Sequence, residues 1–112
     1  MEINAEHVNG LLLAKPKDRI DGTNSRVFEE SLVEAIGDSG CSVILDFEEL
    51  HYISSAGLRA ILLTAKKVKN TQGQLVLCSL TEPIKEVFEL SGFDKIIPIY
   101  ANRDEALAAL SS

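Results

Sequence analysis

The fold is organised around residues 46–62, which read Asp46-Phe-Glu-Glu-Leu-His-Tyr-Ile-Ser-Ser-Ala-Gly-Leu-Arg-Ala-Ile-Leu62. Before this stretch, residues 41–45 form a β-branched apolar run without alternation, which is typical of a central strand covered on both faces. After it, apolar residues recur at helical spacing with basic residues between them; the apolar ones are Leu58, Ile61, Leu62, Ala65 and Val68. The stretch is therefore predicted to lead from a buried strand, through a short polar loop, into an amphipathic helix.

Two adjacent serines, Ser54 and Ser55, stand where that helix is predicted to begin. A helix N-terminus has unpaired backbone N–H groups and the positive end of the helix dipole, and both favour an anionic group. Either hydroxyl could simply cap the helix, which stabilises a protein by ~1 kcal/mol. Alternatively, one of them could carry a regulatory phosphate. The residues alone favour the capping role.

Length and composition limit the class of protein. The 112 residues are 46% hydrophobic and 25% charged, which predicts one globular domain over residues 1–112. A net charge of −6 argues against a nucleic acid or an anionic membrane surface as the partner. No basic segment precedes an apolar one, and the apolar runs are far shorter than a bilayer span, so we expect a cytoplasmic protein. Cys41 and Cys78 are expected to be reduced thiols, and neither a metal nor a cofactor is expected.

The remaining elements follow from local patterns. Asn9-Gly10 is typical of a tight hairpin turn, Pro16 is predicted to stop the second strand, and residues 15–25 are predicted to form a loop. Pro98 cannot donate to a strand ladder, which places the last strand at a sheet edge. Helices are predicted at 25–36 with Gly37 and Gly40 at the end, from Ser55 to about Asn70, from Thr81 to Gly92 and from Asn102 onward; strands are predicted at 3–8, 11–14, 41–45, 74–79 and 96–99.

This order of elements, ββαβαβαβα, predicts an α/β fold. Helices that connect successive strands by right-handed crossovers produce parallel pairing, whereas the initial hairpin is antiparallel. We therefore expect a mixed, mostly parallel sheet packed with helices.

The motif Asp46-Phe-x-x-Leu50-x-Tyr-Ile-Ser-Ser55-x-Gly-Leu58 resembles the signature of the STAS domain, and within it of the small bacterial anti-sigma factor antagonists. Arg19-Ile-Asp21 and Ser91-Gly-Phe-Asp-Lys-Ile-Ile97 match the family at the expected spacing. The chain departs from many relatives at Asp18, Ser54, Ala56 and Arg59, where Gly, Asp, Ser or Thr, and Gly respectively are common.

The resemblance implies a phosphorylation-switched binding module that is not an enzyme. In such proteins, a serine at the position of Ser55 is phosphorylated by an anti-sigma factor that is also a serine kinase of the histidine-kinase-like ATPase fold. The unphosphorylated antagonist binds this partner and frees the sigma factor, whereas the phosphorylated form is released until a serine phosphatase resets it. Ser55 is accordingly the expected phosphorylation site, with Ser54 as the second choice.

The face that presents Ser55 is expected to bind the partner. Its residues are Asp21, Gly22, Thr23, Asn24, Tyr52, Ile53, Ser54, Ser55, Ala56, Gly57 and Arg59. Asp21 is equally well explained as a turn residue, and Asp46 either as a residue of a ligand-binding sheet edge or as a cap of the following loop.

Two other functions stay open at this point. One is a phosphocarrier in which Cys or His holds the phosphoryl group, although neither cysteine lies at a strand-to-helix loop with a Gly-rich cradle and His51 has no orienting partner in sequence. The other is a small-ligand-binding STAS scaffold without a sigma-factor role, which fold alone does not exclude.

Overall fold

A computed structural model describes residues 3–37 and 41–111. In these residues the elements are, in chain order, β1 (Ile3–Val8), β2 (Leu11–Pro16), β3 (Asp18–Ile20), α1 (Ser25–Ile36), β4 (Val43–Asp46), β5 (Leu50–Ile53), α2 (Ser55–Asn70), β6 (Leu75–Cys78), α3 (Glu82–Ser91), a 3-10 turn (Phe93–Lys95), β7 (Ile99–Tyr100) and α4 (Arg103–Ser111). The predicted helix ends at Gly37 and Gly92 are confirmed, while Gly40 lies outside the described residues.

The main sheet has five strands in the order β1-β2-β4-β6-β7. Only β1 and β2 are antiparallel among these neighbours, and the turn between them has φ of 51° at Asn9 and 81° at Gly10, as expected for the predicted hairpin. The mixed, mostly parallel α/β fold is thus confirmed. The last strand does lie at the edge, but it consists of Ile99 and Tyr100 instead of residues 96–99, because β7 begins only after Pro98.

A second sheet corrects the predicted order of elements. β3 and β5 pair in parallel within segments that were expected to be loops. Each has only three or four residues, too few for alternation to be recognised in the sequence. The pair is held by burial of one face, since Ile20 and Ile53 are 0% and 5% exposed, whereas Arg19 and Tyr52 point to solvent.

The core has two parts, one on each face of the main sheet. Helices α1, α2 and α3 cover one face and enclose the three buried phenylalanines, Phe28, Phe47 and Phe88. The short helix α4 covers the other face, where Ala106 packs with Ile44, Val76 and Cys78, among others. Both cysteines are free thiols. Within the described residues, none of the helices has the length and apolar character needed to cross a membrane.

Candidate functional site

The small sheet of β3 and β5 brings together the two segments that were predicted to bind the partner, residues 21–24 and residues 52–59. Because β3 and β5 are parallel, their carboxyl ends lie side by side, and the backbone N–H of Ser54 donates to the carbonyl of Ile20 at 2.9 Å. The turn that starts at Asp21 therefore lies next to the start of α2, although more than thirty residues separate them in sequence.

The two serines have different roles at the start of α2. Ser54 is the N-cap, with extended backbone geometry, and its Oγ accepts a hydrogen bond from the backbone N–H of Gly57 at 3.2 Å. Ser55 is the first helical residue and is exposed. Within residues 3–37 and 41–111 its hydroxyl makes no side-chain hydrogen bond. One serine is thus engaged in the structure, and the hydroxyl of the other is open to solvent.

Gly57 allows α2 to approach the small sheet closely. A Cβ at this position would lie 2.8 Å from Cγ1 of Ile53, 2.9 Å from Cγ2 of Ile20 and 3.1 Å from the carbonyl oxygen of Ile20. Such distances are below normal van der Waals contact, so a side chain there would push the first turn of the helix outward. Gly57 therefore sets the position of Ser54 and Ser55 relative to the turn at Asp21.

The turn at residues 21–24 is ordered by its own side chains. Oδ1 of Asp21 accepts hydrogen bonds from the hydroxyl of Thr23 at 2.6 Å and from its backbone N–H at 2.9 Å, and these bonds hold the pKa of the Asp21 carboxyl below its usual value. Oδ1 of Asn24 accepts from the backbone N–H of Asp21 at 2.8 Å, and its Nδ2 donates to the carbonyl of Arg19 at 3.0 Å. Asp21 thus has the turn role, and it also borders the surface next to Ser54.

Arg19 also lies on the surface beside Ser54 and Asp21, although it was not among the predicted partner-binding residues. Its Nε lies 2.7 Å from Oδ2 of Asp21, and its guanidinium carbon lies 5.0 Å from the centre of the Tyr52 ring, within cation–π range. Tyr52 remains 48% exposed. The i, i+2 spacing of Arg19 and Asp21 could have indicated that their side chains lie on the same side of a strand. This argument requires that the segment be recognised as a strand.

The other predicted partner-binding residues differ in how far their side chains are exposed to solvent. Gly22, Thr23, Ala56 and Arg59 are exposed at this end of the molecule. Ile53 is buried, so its side chain supports the surface from below and has little area to offer a partner.

Asp46 has a structural environment. Its side chain is 4% exposed, its Oδ1 accepts the backbone N–H of Glu48 at 3.0 Å, and its Oδ2 pairs with Nη2 of Arg103 at 3.0 Å. The first bond is the loop cap that the sequence allowed. The second joins α4 to the carboxyl end of β4, and both oxygens are thereby occupied.

The candidate phosphoryl carriers are poorly placed for that chemistry. Cys78 is fully buried, and burial, together with the nearby carboxylate of Asp46, raises the pKa of its thiol to about 11. Little thiolate, the nucleophilic form, would exist near neutral pH. His51 lies exposed on β5, and no described residue forms a hydrogen bond to its ring.

Comparison with known proteins agrees with the fold and the motif. The STAS domain family matches residues 2–106. BtrV of Bordetella bronchiseptica, which is provisionally named an anti-sigma factor antagonist, is 38% identical over 112 residues, covering 100% of this chain and 97% of BtrV.

Solved structures show the same architecture. TM1081 of Thermotoga maritima superposes with a TM-score of 0.91 at 20% identity, covering 98% of this chain and 95% of TM1081. The anti-sigma factor antagonist SpoIIAA in its unphosphorylated form has a TM-score of 0.82 at 18% identity, covering 98% and 96% of the two chains. Bacillus SpoIIAA in its phosphorylated form has a TM-score of 0.72 at 20% identity, covering 96% and 98%. The chain therefore belongs to the STAS domain family, in which its relatives are named as anti-sigma factor antagonists.

Proposed function

We propose that this chain is an anti-sigma factor antagonist that acts by binding and has no catalytic activity of its own. In the unphosphorylated form it binds an anti-sigma factor that is also a serine kinase of the histidine-kinase-like ATPase fold, and phosphorylation of Ser55 releases it. A serine phosphatase then resets the cycle in the cytoplasm. The name of BtrV supports the partner class, and the two forms in which SpoIIAA has been solved support a phosphorylation switch.

The observation that carries the proposal is the difference between Ser54 and Ser55. A kinase must reach a free hydroxyl, and the hydroxyl of Ser54 is already bound to the N–H of Gly57. That of Ser55 is exposed at the first helical position. Phosphorylation of Ser54 would have to remove a helix cap, whereas phosphorylation of Ser55 disrupts no bond in the described structure.

A phosphate at Ser55 is compatible with the folded state. It adds about −1.5 to −2 units of charge at pH 7, and the positive end of the helix dipole stabilises negative charge there. The first turn of α2 contains no acidic residue that would repel it. The domain itself can therefore keep its structure after modification.

The partner is expected to sense the added charge directly. The face of this chain that would contact the partner comprises the exposed turn after Asp21, the ring of Tyr52 with Arg19, and the exposed side of α2 at Ala56 and Arg59. An interface formed around a neutral hydroxyl would have to bury a dianion, and an unpaired buried charge costs several kcal/mol. The affinity should then fall by about three orders of magnitude or more.

The test is to incubate the chain with ATP and the anti-sigma factor kinase that co-purifies with it from the native cell, and to measure intact mass and complex formation. We expect one acid-stable phosphoryl group on the wild type and dissociation of the complex. Ser55→Ala should take up none and remain bound, while Ser54→Ala, its matched control, should still be phosphorylated. Quantitative phosphorylation of Ser55→Ala, an acid-labile phosphoryl group, or a phosphorylated chain that stays bound would contradict the proposal.

A further inference from the structure

A groove lies at the end of α2 opposite to Ser55. It is bounded by the C-terminal half of α2, by residues 96–98 and by the first residue of β6, and its volume is about 640 Å³. At 1.5 Å of rise per residue, Lys69 on its wall is about 21 Å along the helix axis from Ser55. The groove is therefore separate from the site of the proposed switch.

The groove is lined mainly by apolar residues, with Ser42, Gln72 and Gln74 as the uncharged polar ones, and it exists because the sheet is short at this point. Within the described residues, β7 pairs only with Leu77 and Cys78 of β6. Pro98 has no N–H with which to extend the ladder toward Leu75. The edge of β6 at Leu75 is consequently left beside the groove, next to the buried side chain of Ile97.

The wall of the groove is positively charged. Leu62, Ala65, Lys66 and Lys69 follow one another at helical spacing on α2, so that two apolar side chains lie beside two cations. Neither Lys66 nor Lys69 forms a salt bridge within residues 3–37 and 41–111, and none of the described lining residues is acidic. Lys67, between them, does not line the groove and pairs with Glu29 of α1 at 3.3 Å.

A mainly apolar groove beside two lysines that form no salt bridge within the described part of the chain is complementary to an amphiphilic anion. We propose that this groove binds a small molecule with a hydrocarbon chain and a carboxylate, of the medium-chain fatty acid type. The chain would lie against Leu62, Ala65 and Ile96, the last of which is 61% exposed, and the carboxylate would lie between the ammonium groups of Lys66 and Lys69. The volume is within the range of about 300–1,000 Å³ that is usual for small-molecule sites.

Titration of the isotope-labelled full chain with sodium decanoate tests the proposal by NMR. We expect saturable 1:1 binding, with shifts concentrated at Ala65, Leu75 and Ile97. The Lys66→Gln, Lys69→Gln double variant should bind about tenfold more weakly, since two ion contacts are lost. Lys67→Gln is the matched control, because it removes the intervening cation from the same helix, and its affinity should equal that of the wild type.

Two further measurements separate the parts of the proposal. Decanol has the same hydrocarbon chain without the charge. It should bind the wild type more weakly than decanoate does, and its affinities for the wild type and for the double variant should be equal. Ala65→Phe should fill the groove and abolish binding while α2 remains folded by circular dichroism. Absence of saturable shifts with decanoate, shifts spread over the whole surface, or equal affinity of wild type and double variant would overturn the proposal, whether or not Ser55 is phosphorylated.

Discussion

The Oγ of Ser54 accepts a hydrogen bond from the backbone N–H of Gly57 at 3.2 Å, and this contact separates the roles of two adjacent serines. Ser54 is used to begin the helix, which leaves Ser55 exposed on its first turn. A capping hydroxyl and an exposed hydroxyl thus stand side by side, and substitutions can distinguish them.

Alanine substitutions of the two serines should differ in their effect on stability. Ser54→Ala removes a cap and should lower the free energy of unfolding by about 1 kcal/mol. Ser55→Ala removes an exposed hydroxyl and should change it by less than about 0.5 kcal/mol. Urea denaturation measures both. A larger loss for Ser55→Ala would mean that Ser55 is the cap and that the assignment is reversed.

Gly57→Ala should destabilise the protein because its Cβ would collide with Ile53 and Ile20. We expect a loss of about 1–3 kcal/mol in the free energy of unfolding, as is typical of overpacking. Gly22→Ala is the control, since no atom lies within 4 Å of its Cβ position, and it should be close to neutral. If both variants unfold at the same urea concentration, close helix packing at Gly57 is not required.

Phosphorylation of Ser55 should alter the backbone amide spectrum only locally. Shifts are expected within about one turn of Ser55 and in the neighbouring turn at Asp21, because the helix start can accept the charge without rearrangement. Amide signals of Val43 and Val76, in the middle of the main sheet, should stay in place. Widespread shifts there would indicate a global conformational change and would contradict release by local charge.

Arg59 lies one helical turn after Ser55 and should interact with the phosphate. Residues at i and i+4 are neighbours on a helix surface, and a nearby cation favours the dianionic form. The second pKa of phosphoserine 55, followed by phosphorus NMR, should therefore be higher in Arg59→Gln than in the wild type. Lys85→Gln, on the exposed side of α3, should leave it unchanged. Identical titration curves for all three proteins would show that Arg59 does not reach the phosphate.

The pair of Asp46 and Arg103 should hold α4 against the sheet. Asp46→Ala should lower the free energy of unfolding by about 2 kcal/mol, less than the 3–5 kcal/mol typical of fully buried pairs, because the Arg103 side chain is 41% exposed. Arg103→Ala should also speed the reaction of Cys78 with a thiol reagent, since Ala106 of α4 packs over that residue. Lys15→Ala breaks surface ion pairs with Glu48 and Glu49, and it should neither lower the free energy of unfolding by more than about 1 kcal/mol nor speed the reaction of Cys78.

Cys78 should make the stability depend on pH in the alkaline range. Its pKa is raised from 9.0 to about 11 in the folded state by burial, so the folded chain holds this proton more tightly than the unfolded chain. The resulting stabilisation is fully present below pH 9 and is lost as the pH rises from about 9 to about 11. The difference in unfolding free energy between wild type and Cys78→Ala should be constant below pH 9 and decrease above it. A flat difference through pH 11 would contradict the raised pKa.

Much of the architecture was determined by local patterns in the sequence. Asn9-Gly10 specified a turn that needs positive φ, helical apolar spacing specified α1 to α3, and Gly92 specified the end of α3. Pro98 placed the last strand at an edge, because a residue without an N–H cannot sit in the middle of a ladder. These are properties of single residues or of short windows, so they can be recognised without knowing the fold.

Only the tertiary structure decided how distant segments meet. The pairing of β3 with β5, the cation–π contact of Arg19 with Tyr52 and the link from Arg103 to Asp46 each join residues more than thirty positions apart. No local pattern encodes such contacts, because they join side chains that come close together only after the chain has folded. The tertiary structure also decided which of Ser54 and Ser55 caps the helix. Either hydroxyl type can cap a helix, and the position of α2 against Ile20 and Ile53 determines which one does.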